Sequence, residues 1–303
     1  MARVYAALAT VYLVWGSTYL GIAVSNRTLP PLLMSSARFV LAGAVLFLWA
    51  VKRGARPDAR GWLASAVVGA ALLLVGNGGI AWAETRVASG LAALVVAVVP
   101  IWIAVFESVL RRRRPRAVTI AGLLLGLAGV GVLVGPSGSV DAVGGAVILV
   151  SSLSWAAGSL YATRAPLPSD ALLSAGMQML AAGVLLAVAG GFAGEAAQVR
   201  VPSAASLGAL AYLVVVGSII AFTAYGWLLQ NASATLVSTY AYVNPVVAVL
   251  FGAVLLGERL TAATVVSGAA IVAAVVLIVS GNARPDPAAG SEQELEPALE
   301  QAA

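Results

Sequence analysis

The stretch TYAYVNPVVAVLFGAVLLGERLT, Thr239 to Thr261, decides the fold because a long apolar segment there carries a proline. A bilayer core needs about 20 apolar residues in a spanning helix, and this segment supplies most of that length. Pro245 has no N–H and clashes with the carbonyl of Ala241, which predicts a break near the middle of the helix. In hydrocarbon, freed backbone groups need partners in protein or in a watery cavity. The proline therefore marks a cavity wall or a kink that serves packing.

The composition of the whole chain predicts an all-α membrane protein. Its 303 residues are 61% hydrophobic and 10% charged, and its mean hydropathy is +1.00. Soluble domains carry about 25% charged residues, so lipid rather than water must cover this surface. The apolar runs predict ten transmembrane helices, near 4–24, 30–51, 61–83, 88–110, 116–135, 142–162, 169–191, 206–229, 233–256 and 260–281. Residues 283–303, rich in Glu and Pro, are expected to form a disordered cytoplasmic tail.

The distribution of basic residues predicts the orientation. With a cytoplasmic N-terminus, the inner side holds twelve of the 17 Lys and Arg residues, including all five arginines of the run RRRRPR at 111–116. The outer loops hold four, and the remaining one is Arg38 inside a segment. This asymmetry is the positive-inside pattern of a multi-pass inner-membrane protein with both termini cytoplasmic. The net charge of +5 is therefore a topology signal, and we expect lipid rather than nucleic acid as the partner.

Missing residue types and motifs narrow the function. The chain has no histidine and no cysteine, so a metal site, a disulfide framework and thiol chemistry are not expected. No intramembrane acid cluster or nucleophile–base set is apparent, so we do not expect an enzyme or a cofactor. No GxxxxGK[ST] motif is present, which argues against ATP hydrolysis by this chain. A small-molecule substrate is the expected ligand.

The chain repeats itself with a shift of 140 to 145 residues. A shift of 140 places Trp15 on Trp155 and Ala42–Gly43 on Ala182–Gly183, and a shift of 145 places Trp82 on Trp227 and Pro100 on Pro245. The halves, residues 1–138 and 139–282, each contain five predicted crossings. Because five is odd, the second half enters the membrane from the opposite side. Such inverted repeats are typical of transporters that alternate between two similar states.

Several blocks carry a family resemblance: WGSTYLGI, VGNGGIAWAETRVASGLAALVVAVVPIW, GLAGVGVLVG, SWAAGSLY and the opening stretch with its GERL. Together they resemble the EamA family of the drug/metabolite transporter superfamily, over roughly Arg3 to Gly281. The resemblance implies ten helices, a central cavity between two halves, and export of small molecules by alternating access. The first-half counterpart of GERL contains Arg113 and Arg114, so that motif occurs once.

Polar residues inside the predicted helices are the first candidates for substrate binding. Tyr240 and Asn244 are four residues apart and share a helix face one turn before Pro245. Asn77 lies among glycines, where it either lines a cavity or bonds across a helix interface. Arg38 is costly in a membrane, so it either attracts a substrate carboxylate or pairs with a carbonyl or with Glu84. Pro100 and Pro245 are the predicted hinges.

Aromatic and acidic residues near helix ends complete the set. Trp82 and Trp227 are either cavity residues or members of an aromatic belt, whereas the deeper Trp15 and Trp155 favour a cavity or an interface. Glu84 is either a charge at the helix boundary or, if transport is proton-coupled, the proton carrier. Glu258 adjoins Arg259 and is interpreted as a boundary or paired charge.

These observations predict a secondary active exporter of small metabolites or drugs. A passive small-solute channel or facilitator and a non-transporting membrane sensor are the alternatives. The small-residue spacing of Gly122 and Gly126 serves packing within the bundle or dimerisation, so a monomer and a homodimer both remain open.

Overall fold

The computed structural model describes residues 2–110, 112, 117–134, 140–232 and 240–282, and all regular structure in these ranges is helical. The tail 283–303 and most of the run 111–116 lie outside the described residues. Within these ranges, ten long helical segments follow one another: α1 Ala2–Ser25, α2 Pro31–Lys52, α3 Ala59–Ala83, α4 Ser89–Leu110, α5 Ala117–Val134, α6 Ala142–Ala162, α7 Ala171–Phe192, α8 Ala204–Asn231, α9 Tyr240–Leu256 and α10 Ala262–Asn282.

The helices have the length and apolarity of membrane spans. In the described part of the chain, seven of them, α1 to α4 and α6 to α8, contain stretches long and apolar enough to cross a bilayer. The apolar stretches of the other three are shorter: Ala117–Val132, Val243–Leu256 and Ala262–Leu277. Many large apolar side chains face outwards, for example Leu63 and Val254. Such a surface suits lipid, and the all-helical membrane architecture predicted from composition is confirmed.

Local caps explain where several helices begin. Asp58, Asp141 and Asp170 each accept a hydrogen bond, at 2.8 Å, from the backbone N–H three residues further on. Ser203 does the same for α8 with the N–H of Ser206 at 3.1 Å. A side-chain oxygen at this position satisfies one of the free N–H groups in the first turn. The polar residues between the apolar runs therefore fix the helix boundaries.

Helices α2 and α4 are capped instead by carboxylates from the other half of the chain. Glu195 accepts hydrogen bonds from the N–H groups of Leu32 and Leu33, at 3.0 and 2.9 Å. Glu258 accepts from the N–H groups of Ser89 and Gly90, at 2.7 and 3.0 Å. Glu258 thus lies at a helix boundary, as interpreted from the sequence, and it caps the N-terminus of α4. Its partners are 168 and 169 residues away and were not visible in the local sequence.

Helices α2 and α7 pack closely and run antiparallel. A Cβ built on Gly43 would lie 2.9 Å from the backbone nitrogen of Leu180 and 3.0 Å from the carbonyl oxygen of Gly176. A Cβ on Gly183 would lie 3.0 Å from the nitrogen of Val40. Under the 140-residue shift, Gly43 is equivalent to Gly183 and Val40 is equivalent to Leu180. The contact of Gly43 with Leu180 and the contact of Gly183 with Val40 are therefore equivalent. The pair therefore contacts in the self-complementary manner of a two-fold relation.

Helices α5 and α10 show the same exchange with a shift of 145 residues. A Cβ on Gly126 would lie 3.2 Å from that of Ala274, and one on Gly129 would lie 3.0 Å from Cγ1 of Ile271. Under the 145-residue shift, Gly126 is equivalent to Ile271 and Gly129 is equivalent to Ala274, so the two contacts are equivalent. The two helices also run antiparallel. Gly126 thus packs against a helix of its own chain.

Two helices contain π-helical segments and one is interrupted. The π-helical residues are Ala70–Gly78 in α3 and Leu213–Ile220 in α8, which are near-equivalent positions of the two halves. In α4 the helix is interrupted at Ala97 and Val98, directly before Val99 and Pro100. The helix α9 continues across Pro245, so the break predicted there is wrong. Within the described part of α9, Pro245 removes the hydrogen bond to the carbonyl of Ala241 without interrupting the helix.

Candidate functional site

Four aromatic rings from three helices form a cluster between the two halves. The ring of Trp15 on α1 lies 5.6 Å from Phe222, 5.0 Å from Tyr225 and 5.2 Å from Tyr240, measured between centroids. Tyr225 and Tyr240 lie 5.9 Å apart. Edge-to-face arrangements at these distances stabilise aromatic contacts beyond the area that they bury. The structure therefore brings two predicted site residues, Trp15 and Tyr240, together, and adds Phe222 and Tyr225 of α8.

Asn244 lies one helical turn beyond Tyr240 on α9. Its Oδ1 is buried and has no hydrogen-bond partner among the described residues. An unpaired amide oxygen in a low-dielectric interior is costly, and such groups in native proteins often have a functional reason. The unpaired Oδ1 favours the cavity over packing for this residue, and both interpretations stay predictions.

Arg38 on α2 is 5% exposed, and its Nε donates a hydrogen bond to Ser218 Oγ at 3.0 Å. Ser218 lies in the π-helical segment of α8, beside Gly217, where a Cβ would lie 3.4 Å from Nη2 of Arg38. Among the described residues no salt bridge compensates the charge of Arg38. The arginine thus pairs with a neutral hydroxyl, rather than with a carbonyl or with Glu84, the two pairings that the sequence left open.

Glu84, at the end of α3, is 9% exposed, and both of its carboxylate oxygens are buried without a hydrogen-bond partner in the described ranges. Its charge is repelled by Glu258 and attracted by Arg38, although it forms no salt bridge with Arg38 in the described part of the chain. Arg86, two residues beyond Glu84, packs its guanidinium 5.0 Å from the ring centroid of Trp82. Two opposite charges are therefore buried in one bundle without contacting each other.

Asn77 and Trp155 lie at the π-helical segment of α3. Asn77 belongs to that segment and is partly exposed. Trp155 on α6 packs against it, since a Cβ on Gly76 would lie 3.0 Å from Cε3 of the indole. Trp155 joins the apolar cluster around Phe39 rather than the rings around Trp15. The two equivalent tryptophans thus occupy different clusters.

The other two tryptophans and the prolines lie elsewhere. Trp82 packs near the end of α3 beside Arg86, and Trp227 on α8 is 36% exposed. Both positions suit an aromatic belt as well as a cavity. Pro100 follows the interruption of α4, and Pro245 is buried within α9. Sequence reasoning missed Ser218 and the π-helical segments, because neither has a signal that distinguishes it from other small or apolar residues.

Comparison with known proteins gives a consistent result. The model of the EamA-like transporter family matches the chain twice, at residues 3–135 and 142–280. The chain is 42% identical over 282 residues to the uncharacterized inner membrane transporter YedA of Escherichia coli, covering 92% of this chain and 91% of YedA. The prediction of the EamA family, and within it of a YedA-type protein, is confirmed.

More distant relatives and a solved structure agree. An uncharacterized transporter of Archaeoglobus fulgidus is 26% identical, with 91% of this chain and 97% of that protein covered. The uncharacterized transporter YvbV of Bacillus subtilis is 24% identical, with 89% and 90% covered. A crystal structure with a TM-score of 0.63 and 22% identity covers 94% of this chain and 99% of its own, which supports the fold.

Proposed function

The chain belongs to the EamA-like transporter family, and from that premise we propose that it is a secondary active transporter with an alternating-access mechanism. It exports small metabolites or drugs across the cytoplasmic membrane, with both termini in the cytoplasm. The family match and the relatives make it a multi-pass inner-membrane transporter. The proposal adds three points to this assignment: the coupling of transport to an energy source, the direction of transport, and the parts of the protein that move.

The observation that carries the proposal is the exchange of glycine contacts in the two antiparallel helix pairs, α2 with α7 and α5 with α10. The two-fold axis that relates two antiparallel helices is perpendicular to both of them. For helices that span a membrane, this axis lies in the membrane plane. Repeats related in this way can adopt inward-open and outward-open states of similar energy. Close glycine packing at the middle of α2 and α7 supplies a pivot that both states keep.

The substrate site lies between the aromatic cluster and the two buried charges. Trp15, Tyr240 and Asn244 present apolar faces and an unpaired amide oxygen. Arg38 and Glu84 present opposite charges without a compensating contact. A small amphipathic molecule with a polar or charged group fits this chemistry. Asn77, Trp155, Trp82 and Trp227 remain candidates for the wall of the pathway on the other sides.

Glu84 is the proposed coupling residue. A carboxylate that is buried without a partner binds a proton more readily than a solvated one, because burial disfavours the charged form. Proton binding and release at Glu84 would then link the cargo movement to the proton gradient.

The test begins with a thermal-shift screen of amino acids, nucleosides and common drugs on the purified protein. A stabilising compound is then labelled and offered to proteoliposomes with an imposed proton gradient. Uphill accumulation that an ionophore abolishes supports the proposal. Flux that is only downhill indicates a facilitator or channel, and binding without flux indicates a sensor; either result contradicts the proposal.

A further inference from the structure

The carboxylates of Glu195 and Glu258 join the two halves at one end of the bundle. Both belong to the second half, and both cap helices of the first half. This end also contains Arg27, Arg86, Arg200 and Arg259, the side that the charge distribution assigns to the cell exterior. We call these two capping contacts the carboxylate clasp.

Glu258 is bound more extensively than a surface acid. One carboxylate oxygen accepts from the N–H and the hydroxyl of Ser89, at 2.7 and 2.6 Å, and the other accepts from the N–H of Gly90 at 3.0 Å. Hydrogen bonds with an ionised acceptor are roughly twice as strong as neutral ones. The helix N-terminus also favours the negative charge.

The surroundings of Glu258 leave room for its carboxyl group. A Cβ on Gly252 of α9 would collide with that group, and one on Gly90 would lie 3.1 Å from Oε2. Gly257, with a φ of +67°, turns the chain after α9 so that the N–H of Glu258 reaches the carbonyl of Gly252 at 3.1 Å. Three glycines thus position one carboxylate across the boundary between the halves.

The opposite end of the bundle has no equivalent residues at the matching positions. The repeat shift places Ala55 at the position of Glu195 and Arg113 at that of Glu258. Helix α7, the equivalent of α2, begins at its own Asp170 instead. The carboxylate clasp is therefore an asymmetric element in a chain whose central helix pairs are symmetric.

We propose that Glu258 is a positioning residue that latches the exterior side closed by capping α4 across the boundary between the halves. This inference rests on the proposed alternating access. Opening that side separates the helix ends while the glycine pivot of α2 and α7 persists, so the capping bonds must break. The clasp sets the resting population in favour of the state that is open to the cytoplasm, where an exporter loads its cargo.

The experiment uses the natural absence of cysteine, which makes single-cysteine reporters clean. Ser25→Cys reports the exterior side, because Ser25 is fully buried and contacts α8 rather than Glu258. Ala224→Cys reports the cytoplasmic side, beside Trp15 and Tyr225. Each reporter is combined with Glu258→Gln and labelled with a membrane-impermeant maleimide, in spheroplasts or in inside-out vesicles respectively.

Glu258→Gln should raise the labelling rate at position 25 at least fivefold and lower that at position 224 about twofold, because the two states exchange population. Ser89→Ala, which removes one of the three bonds, should shift both rates in the same directions by less. Arg259→Gln, a neighbouring exposed charge without a cap, is the matched control and should change neither rate.

Unchanged rates in Glu258→Gln overturn the proposal, and so does a rise at both positions, which indicates general loosening. If Glu258→Gln does not reach the membrane, the labelling rates are measured in Ser89→Ala and Gly252→Ala instead. Opposite changes at positions 25 and 224 then support the proposal, and unchanged rates or a rise at both positions overturn it. If the two labelling rates change in opposite directions but no uphill transport is found, the latch is supported and the proposed exporter function is contradicted. If uphill transport is found but the labelling rates do not change in opposite directions, the exporter function is supported and the latch is contradicted.

Discussion

Asn244→Ala separates a binding role from a packing role most sharply. The buried Oδ1 of Asn244 has no hydrogen-bond partner in the part of the chain that the structure describes, and an unsatisfied buried acceptor costs about 1–3 kcal/mol. Truncation to alanine removes that cost and leaves a cavity of about 25 Å³, worth about 0.6 kcal/mol at 24 cal/mol per Å³. The variant should therefore be as stable as the natural protein, or more stable by up to about 2 kcal/mol.

Transport should fall in the same variant, by at least tenfold, because the amide is proposed to bind the cargo. Ser36→Ala is the matched control: Ser36 is also buried, but its Oγ donates to the carbonyl of Gly183 at 2.7 Å. That change should lower stability by about 0.5–1.5 kcal/mol and leave transport per folded molecule unchanged.

The assay combines thermal unfolding in detergent, followed by tryptophan fluorescence, with initial rates in proteoliposomes. The reasoning is refuted if Asn244→Ala unfolds more easily than Ser36→Ala while its transport rate stays normal. In that case the side-chain amide of Asn244 has a structural role, and α9 does not contribute this residue to the substrate site.

Five further variants test other parts of the site and the packing. Glu84→Gln should leave transport that no longer responds to nigericin; retained sensitivity would place the coupling group elsewhere. Alanine at Gly43 or at Gly183 should destabilise the bundle by about 1–3 kcal/mol, because each Cβ would press against the backbone of the facing helix. Gly191→Ala, which meets no atom within 4 Å, should be neutral in the same unfolding assay. Trp15→Ala should weaken binding of the compound found in the thermal-shift screen, measured by titration, and equal affinity would remove the aromatic cluster from the site.

Most of the fold could be predicted from the composition and from the positions of the apolar runs. The apolar runs placed the helices within a few residues, as with α3, predicted at 61–83 and found at Ala59–Ala83. The family blocks identified the EamA relationship, which the two family matches confirm. These features depend on local hydropathy and residue identity, which a single sequence displays directly.

The partners of the polar residues could not be predicted in the same way. Ser218 is 180 residues from Arg38, and Ser89 is 169 residues from Glu258. Such pairs depend on the rotation of each helix about its axis and on the crossing of the halves, and neither leaves a periodic signal in an all-apolar helix. The effect of Pro245 was misjudged because a proline in a spanning helix is tolerated where neighbouring groups satisfy the freed carbonyl, and α9 continues across this one.

The relative orientation of the two halves is the claim on which the mechanism depends, and side-specific labelling measures it directly. Pro57 and Ala197 are exposed, occupy equivalent positions after α2 and α7 under the 140-residue shift, and carry no charge. The account predicts that Pro57→Cys reacts with an impermeant maleimide only after the cytoplasmic face is opened, whereas Ala197→Cys reacts in intact spheroplasts. Labelling of both positions from the same face would contradict it.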